Sequence, residues 1–276
     1  MVMRILILIL PFLLCFTCTK LAEPKRLIFR PPVILYDYEP DSLRKFEAQS
    51  IVSNAAILLG GTFPFTDTLN FLSENTQPIV RPFEGPKGYL PQDTLAGDGL
   101  EIFPDYKKSF YSNRYRPFDR GTSFYPVYVA NQSPNPKALH GRDAYVIAIQ
   151  EAQDSSGRWY PIESRVVWTC SSWNIQLDPQ HFVMLLLPKY KGKFKTQLRL
   201  RIQNDEQIYV SKAFEGWINP QQFELHQYSY HNLKWTPLLE LSKREFLGSV
   251  PKEAENEEEF IQKLKESISP ITGMTP

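Results

Sequence analysis

The most regular hydrophobic pattern in the chain lies between positions 193 and 202. Its even positions are mostly apolar, whereas its odd positions hold lysine, arginine or glutamine. Successive side chains of a β-strand point to opposite faces, so this alternation predicts a strand with one buried and one exposed face. The residues at the even positions are Phe194, Thr196, Leu198, Leu200 and Ile202.

Shorter runs of β-type residues lie on both sides of this strand. Between the runs 144–152 and 159–162 stands Asp154-Ser155-Ser156-Gly157. Aspartate bonds the local backbone and glycine permits a positive φ, so these residues predict a turn and residues 144–162 a hairpin. The other runs are 124–130, 165–170, 173–177, 182–187 and 207–213.

Seven or eight short strands separated by turn residues are typical of an antiparallel sandwich. We therefore predict a mainly β fold, with an antiparallel β-sandwich of the immunoglobulin-like type over residues 121–225. A loop-rich N-terminal segment, residues 41–120, precedes it. A C-terminal extension with a short helix, residues 226–276, follows it. No motif in these residues identifies a known family.

One helix is predicted within residues 41–120. Asp41 or Ser42 can cap it, and Gly60-Gly61 can end it. Residues 55–59 are also compatible with a buried strand. Residues 77–118 are rich in proline, glycine and aromatic residues, which predicts a structured segment of loops. The helical spacing is formed by Ala48, Ile51, Val52, Ala55, Leu58 and Leu59.

The C-terminal helix is predicted to begin at Asn256. This residue can cap the helix, and the glutamates that follow it suit the positive end of the helix dipole. A narrow apolar stripe predicts that the helix docks on the body of the protein, with partner binding as the alternative. The stripe consists of Phe260, Ile261, Leu264 and Ile268.

The N-terminus carries the strongest indication of where the protein is located. Arg4 is followed by an apolar run that ends at Thr17, directly before Cys18. The run is shorter than the roughly 17–25 residues that a membrane-spanning helix needs. A positive start followed by a short apolar run predicts a cleaved export signal over residues 1–17.

The end of this signal resembles the export signals of bacterial lipoproteins, with Leu14 upstream and Thr17 directly before Cys18. The resemblance implies cleavage before Cys18 and lipidation of its thiol, which anchors the protein to a membrane. Residues 18–40 would then form a tether. The alternative is an ordinary cleaved signal that leaves Cys18 as a plain thiol.

Composition argues against a nucleic-acid partner, and the cysteine count argues against a disulfide framework. The chain has 31 Lys+Arg against 30 Asp+Glu, and this balance argues against nucleic acid as a partner. Lipidation of Cys18 and removal of Cys15 would leave Cys170 alone, which excludes a disulfide framework. Without lipidation, a bridge between Cys18 and Cys170 is conceivable. Cys170 follows an apolar run and is expected to be a buried, inert thiol.

No catalytic or cofactor motif is present, so we expect no cofactor. The sequence lacks a dinucleotide fingerprint, a phosphate-binding glycine loop and a nucleophile elbow. Its four histidines have no metal-ligand spacing. Alternating Asp37, Glu39 and Asp41 leave a non-standard calcium site open, because Ser42 and Ala48 exclude an EF-hand loop. Carboxylates near the predicted hairpin are expected to be solvated; these are Glu151, Asp154 and Glu163.

The candidate binding site is the basic face of the alternating strand. Six cations occupy odd positions from 189 to 201, and period-2 geometry places them on one face. Gly192 can interrupt the strand, but four of them stay together in either case. Such a face can bind an anionic glycan or a lipid head group, or it can simply be solvated. The four candidate residues are Lys193, Lys195, Arg199 and Arg201.

Aromatic residues crowd positions 106–128, interleaved with lysine and arginine. Exposed aromatic rings can stack on sugars or peptides. We expect most of these rings to pack between the loop-rich segment and the sandwich.

These patterns together predict an exported, lipid-anchored protein of the cell envelope that acts as a binding or assembly module. Its partners would be the membrane, through the anchor, and an anionic glycan, a lipid or another envelope protein. One alternative is an exported hydrolase of polysaccharide or peptide, and another is a purely structural envelope component.

Overall fold

The structure, a computed structural model, describes thirteen ranges of the chain. It describes residues 27–35, 46–47, 52–55, 57–70, 99–108, 110–112, 122–142, 145–165, 172–204, 207–225, 238–256, 258–260 and 262. The predicted mainly β fold with antiparallel sheets is confirmed. The export signal, Cys18 and the chain up to residue 26 lie outside the described residues. Within them, no helix combines the length and apolar character needed to cross a bilayer.

The strands are β1 (Val33–Leu35), β2 (Phe46–Glu47), β3 (Val52–Ala55), β4 (Ile57–Pro64), β5 (Thr68–Asn70), β6 (Leu100–Pro104), β7 (Phe110–Ser112), β8 (Thr122–Asn131), β9 (Lys137–Arg142), β10 (Tyr145–Val146), β11 (Ala148–Gln153), β12 (Trp159–Pro161), β13 (Glu163–Arg165), β14 (Ser172–Leu177), β15 (His181–Pro188), β16 (Tyr190–Lys191), β17 (Phe194–Asn204), β18 (Gln207–Val210) and β19 (Phe214–Ile218). Helix α1 covers Leu238–Phe246, and 3₁₀ helices cover Pro220–Phe223 and Lys252–Glu255.

Eight strands form the larger sheet, in the order β14-β9-β10-β4-β15-β8-β6, with β7 also paired to β8. All of its pairings are antiparallel. Strand β15 lies inside the sheet, and its residues alternate between two separate hydrophobic clusters. Because both faces of β15 are covered, its sequence is a continuous apolar run rather than an alternating one.

Five strands form the smaller sheet, in the order β12-β11-β17-β18, with β19 also paired to β17. The predicted hairpin is confirmed as β11 and β12. At its turn, Asp154 Oδ1 accepts hydrogen bonds from the backbone N–H of Ser156 at 2.8 Å and of Arg158 at 3.1 Å. Gly157 has a φ of 81°, which glycine adopts readily.

The main hydrophobic core contains residues of both sheets. Val127 and Val183 of the larger sheet belong to one cluster with Leu198, Leu200 and Ile202 of β17. These three residues of β17 are at most 2% exposed, so the predicted assignment of its faces is confirmed.

Two smaller clusters cover the outer sides of the sheets. Phe29 and Leu69 pack on the far side of the larger sheet. Part of the segment predicted as a tether, residues 27–35, is therefore packed on the protein, and β1 pairs with β5. On the far side of the smaller sheet, Phe246 and Phe260 pack against Ile149.

The C-terminal extension differs in part from its prediction. Asn256 Oδ1 lies 3.4 Å from the backbone nitrogen of Glu259, as a cap requires, and residues 258–260 and 262 are helical. Phe260 is buried, which confirms that this turn docks on the body. The described part is a single short turn, and Leu264 and Ile268 lie outside it. The sequence pattern did not predict α1.

The helix predicted over residues 48–59 is wrong. Strands β3 and β4 occupy the described part of this range. Leu58 and Leu59 pair with Leu186 and Leu185 of β15, inside the larger sheet. Their spacing fits a helix face, but pairing with β15 places them in a sheet, as the strand interpretation of residues 55–59 allowed. Asp41, Ser42, Ala48 and Ile51 lie outside the described residues. Strands β6 and β7 form within the segment that was predicted to be structured and loop-rich.

Candidate functional site: the outer face of the smaller sheet

The predicted anion-binding residues of β17 lie on the outer face of the smaller sheet. We define this face as the side opposite the buried even-numbered residues of β17. The strand register places residues from four strands on it. Its register pairs are Ile149 with Arg201, Arg201 with Val210, Glu151 with Arg199, and Lys195 with Trp217.

A buried carboxylate occupies the middle of this face. Glu151 is 1% exposed, and its Oε2 accepts a hydrogen bond from Arg199 Nε at 2.6 Å. Its Oε1 lies 3.6 Å from Arg201 Nη1 and accepts a hydrogen bond from Ser249 Oγ at 2.6 Å. A buried charge requires such partners, because desolvation would otherwise destabilise it. The expectation that Glu151 is solvated is wrong.

Both arginines of the predicted site are engaged in the structure. The guanidinium carbon of Arg199 lies 4.2 Å from the centre of the Trp159 ring. Arg201 Nε donates a hydrogen bond to the carbonyl oxygen of Leu247 at 2.8 Å. Glu151 offsets one of their two positive charges, and together they connect β17 to the C-terminal extension. We name Glu151, Arg199, Arg201 and Ser249 the Glu151 cluster.

Exposed lysine side chains lie on the outer face at the start of β17. Lys195 Nζ lies 2.7 Å from Glu215 Oε1, and these two side chains are 49% and 60% exposed. Trp217, the register partner of Lys195, is 48% exposed. Lys193, just before β17, is also exposed. We name Lys193, Lys195, Glu215 and Trp217 the Trp217 patch.

Sequence reasoning missed Trp217, although a signal for it was present. In Phe214–Ile218, buried and exposed residues alternate, and Glu215 and Trp217 are the exposed members. Alternation of Phe214, Gly216 and Ile218 against Glu215 and Trp217 indicates a strand. Only the pairing of β19 with β17 places Trp217 beside Lys195.

The prediction that six cations share one face is wrong for Lys189 and Lys191. Strand β16 ends at Lys191 and pairs with β2, so it is separate from β17. Lys189 Nζ lies 4.9 Å from the centre of the Tyr125 ring. Gly192 interrupts the strand, and a Cβ at this position would collide with the backbone of Ile218.

The C-terminal extension also contacts the turn between β11 and β12. Lys252 Nζ lies 3.0 Å from Asp154 Oδ2, and Arg158 pairs with Glu255 at 2.8 Å. The hydrogen bond from the Ser156 hydroxyl holds the pKa of Asp154 well below its usual value. Burial opposes this shift, and Lys252 and nearby backbone N–H groups lower the pKa further. Asp154 is therefore a paired, mostly buried carboxylate, contrary to the expectation of a solvated one. Beside it lies a cavity of about 370 Å³, lined by Asp154, Ser155, Phe194, Pro220, Phe223, Glu224, Lys252 and Glu253.

Glu163 is the third carboxylate that was expected to be solvated, and it is also buried. Its Oε2 accepts a hydrogen bond from the backbone N–H of Gln150 at 2.6 Å, and its Oε1 accepts from Gln150 Nε2 at 2.7 Å and from the Tyr190 hydroxyl. Burial raises the pKa of Glu163 to about 7, although these hydrogen bonds oppose the shift. Burial, followed by the nearby Glu163, raises the pKa of Tyr190.

Described aromatic rings of the 106–128 stretch pack inside the protein, as expected. The Tyr106 ring stacks on that of Phe214 with centroids 3.3 Å apart. Phe124, Tyr125 and Tyr128 are buried. These rings do not form an exposed stacking surface.

Several other candidate residues lie outside the described part of the chain. They are Cys18, Cys170, His226, His231, Asp37, Glu39 and Asp41. His181 is described, and its Nδ1 lies 3.0 Å from the carbonyl oxygen of Pro179. Where the structure describes side chains, no three His, Cys, Asp or Glu residues are grouped to hold a metal ion.

No protein-family model matches the sequence, and no curated protein matches it significantly.

Proposed function

We propose that this chain is an exported envelope protein, anchored through a lipid on Cys18, that acts as a binding module with an immunoglobulin-like β-sandwich. The apolar run that ends at Cys18 supports export and anchoring. The hydrophobic core shared by the two sheets supports the sandwich.

The Trp217 patch is the proposed binding surface. The observation that carries this proposal is a half-exposed tryptophan, Trp217, paired in register with Lys195 on a sheet face. An exposed indole can stack on a sugar ring, and an ammonium group attracts a carboxylate, sulfate or phosphate. Glu215 leaves Lys195 accessible, because an exposed ion pair is weak and exchanges readily. This combination fits an acidic glycan.

The Glu151 cluster lies on the same sheet face as this surface. Arg199 and Arg201 are held by Glu151, so the ligand would be bound by Lys193, Lys195 and Trp217. This differs from the expectation that all four cations contact the ligand. The proposed site is therefore smaller and partly aromatic.

The state of the three buried carboxylates argues against their use as a glycosidase pair. Glu151 is bound by two arginines, and Asp154 is paired with Lys252. Glu163 is fully buried among Gln150 and Tyr190. A glycosidase needs two carboxylates that face a substrate across a cleft, and these three are engaged within the protein.

The test is retention of the purified protein on an immobilised acidic polysaccharide, with a neutral polysaccharide for comparison. Wild type should be retained on the acidic matrix, and less so at high salt, because the Debye length falls from about 10 Å at 0.1 M to about 3 Å at 1 M. The double variant Lys195→Glu, Trp217→Ala should lose retention while its circular dichroism spectrum stays unchanged.

A matched control changes an exposed cation and an exposed apolar residue elsewhere. Lys243 is exposed on α1, and Val250 is 46% exposed. The variant Lys243→Glu, Val250→Ala should keep the retention of wild type. Equal retention of wild type and the Trp217-patch variant would reject the proposed site.

A further inference from the structure

Exposed apolar side chains are concentrated at the start of the described chain. Leu27 is 54% exposed, Ile28 77% and Val33 55%. Between them, Phe29 is only 3% exposed. Solitary exposed apolar residues are ordinary on protein surfaces, whereas adjacent ones such as Leu27 and Ile28 suit a contact surface. We name residues 27–33 the N-terminal segment.

The N-terminal segment is fixed to the body of the protein. The Phe29 ring lies 4.9 Å from that of Phe103 and 5.1 Å from that of Phe182, measured between centroids. Its backbone N–H donates to Gln132 Oε1 at 3.1 Å, and Lys108 Nζ donates to the Pro32 carbonyl oxygen at 3.3 Å. With Phe29 buried, Leu27 and Ile28 are held at the surface by the packing around them.

The exposed charges near this segment are balanced in the described chain, and the residues before it add positive charge in sequence. Arg30 and Lys107 are exposed, as are the acidic Asp67 and Glu101. The chain between Cys18 and Leu27 adds three cations and one anion in sequence. Those four residues are Lys20, Glu23, Lys25 and Arg26. The sum of these charges is positive, which suits an anionic surface.

We propose that the N-terminal segment rests on the anionic lipid leaflet that holds the anchor on Cys18. Leu27 and Ile28 enter the headgroup region, and Arg30 contacts lipid phosphates. This inference rests on the proposed lipid anchor. The chain from Cys18 to Leu27 spans at most about 30 Å, so the anchor keeps the segment close to the leaflet. A lipid chain and a basic, apolar segment together bind a membrane more stably than one lipid chain does.

The contact has a consequence for the rest of the molecule. Phe29 couples the N-terminal segment to the larger sheet, so the contact fixes the orientation of the domain relative to the membrane. A domain on a free tether would instead rotate.

The experiment uses the lipidated protein extracted from cells and reconstituted into vesicles. In a Cys170→Ser background, Ile28→Cys carries an environment-sensitive fluorophore, and Val250→Cys is the control at another exposed apolar position. Vesicles contain phosphatidylcholine with or without phosphatidylglycerol, and nitroxide-labelled lipids quench a fluorophore at the headgroup level. Flotation of the same samples measures anchoring separately.

The expected result is strong quenching at position 28 and weak quenching at position 250, with more at position 28 when phosphatidylglycerol is present. Adding Arg30→Gln should lower, about fivefold, the ratio between the population of the N-terminal segment that contacts the membrane and the population that does not. This is the effect expected for one cation at an anionic surface. Equal quenching at both positions in floating vesicles would overturn the contact but leave the anchor intact. Protein that does not float would reject the anchor and the contact together.

Discussion

Glu151 and Arg199 form an ion pair at 2.6 Å although 48 residues separate them in sequence. The pair joins β11 to β17, and Trp159 covers the guanidinium. The second carboxylate oxygen of Glu151 accepts a hydrogen bond from Ser249, 98 residues away. One buried side chain therefore connects the hairpin, the long strand and the C-terminal extension.

Replacing Glu151 should destabilise the protein. Glu151→Gln leaves Arg199 and Arg201 without their carboxylate, and breaking a buried ion pair costs about 3–5 kcal/mol. The free energy of unfolding, measured with urea, should fall by about that amount. Glu215→Gln is the control, because it breaks the exposed pair with Lys195 and should cost less than about 1 kcal/mol. Similar losses in the two variants would contradict the role given to Glu151.

Leu200 is fully buried in the core shared by the sheets. Leu200→Ala should lower the free energy of unfolding by about 2–5 kcal/mol, because it removes buried methyl groups and leaves a cavity. Gln207→Ala, at an exposed position of β18, should change it by less than about 0.5 kcal/mol. A loss below about 1 kcal/mol for Leu200→Ala would be inconsistent with the assignment of the β17 faces.

Glu163 should make stability depend on pH. Its pKa is raised from 4.5 to about 7 in the folded protein, so the folded state keeps a proton that the unfolded state releases between these values. The free energy of unfolding should therefore fall as pH rises through this window, by about 3 kcal/mol, and level off above it. Urea unfolding at several pH values measures this fall, and Glu163→Gln should remove it.

Tyr190→Phe provides a directional check on that interpretation. The Tyr190 hydroxyl donates a hydrogen bond to Glu163 and lowers its pKa. Removing the hydroxyl should raise the pKa of Glu163 further, so the fall in stability should extend to higher pH than in wild type. An unchanged pH window would mean that another group causes the dependence.

Cys18 should carry the lipid. Cells supplied with a fatty-acid analogue should label the protein, and Cys18→Ala should abolish the label because the acceptor thiol is lost. Cys170→Ser serves as the matched control and should keep the label. A label that persists in Cys18→Ala would exclude lipidation at this position.

The sequence predicted structure correctly where the pattern of apolar, polar and turn residues matched their surroundings in the fold. In β17, alternation predicted which residues are buried, because a strand between core and surface must alternate. In the turn at Asp154, local hydrogen bonding and Gly157 determined the structure. The turn depends on residues close together in the chain, whereas the alternation of β17 can be read in sequence without knowing which residues cover its buried face.

The sequence failed where distant residues decide the environment. Leu58 and Leu59 fit a helix face equally well, and only pairing with β15 makes them part of a strand. Among the candidate site residues, Lys193 and Lys195 were predicted to be exposed, and they are. The partners of Arg199 could not be predicted, because Glu151 and Trp159 reach it through strand pairing.

The sequence by itself determined that the protein is mainly β and where its hairpin turns, and from its first residues it predicts export and an anchor at Cys18. Only the tertiary structure decided which charges are exposed. A carboxylate in a hairpin looks the same in sequence whether solvated or buried, since its environment depends on what covers it. The C-terminal extension covers Glu151, which holds Arg199 and Arg201 half-buried, while Lys195 stays beside Trp217 at the surface.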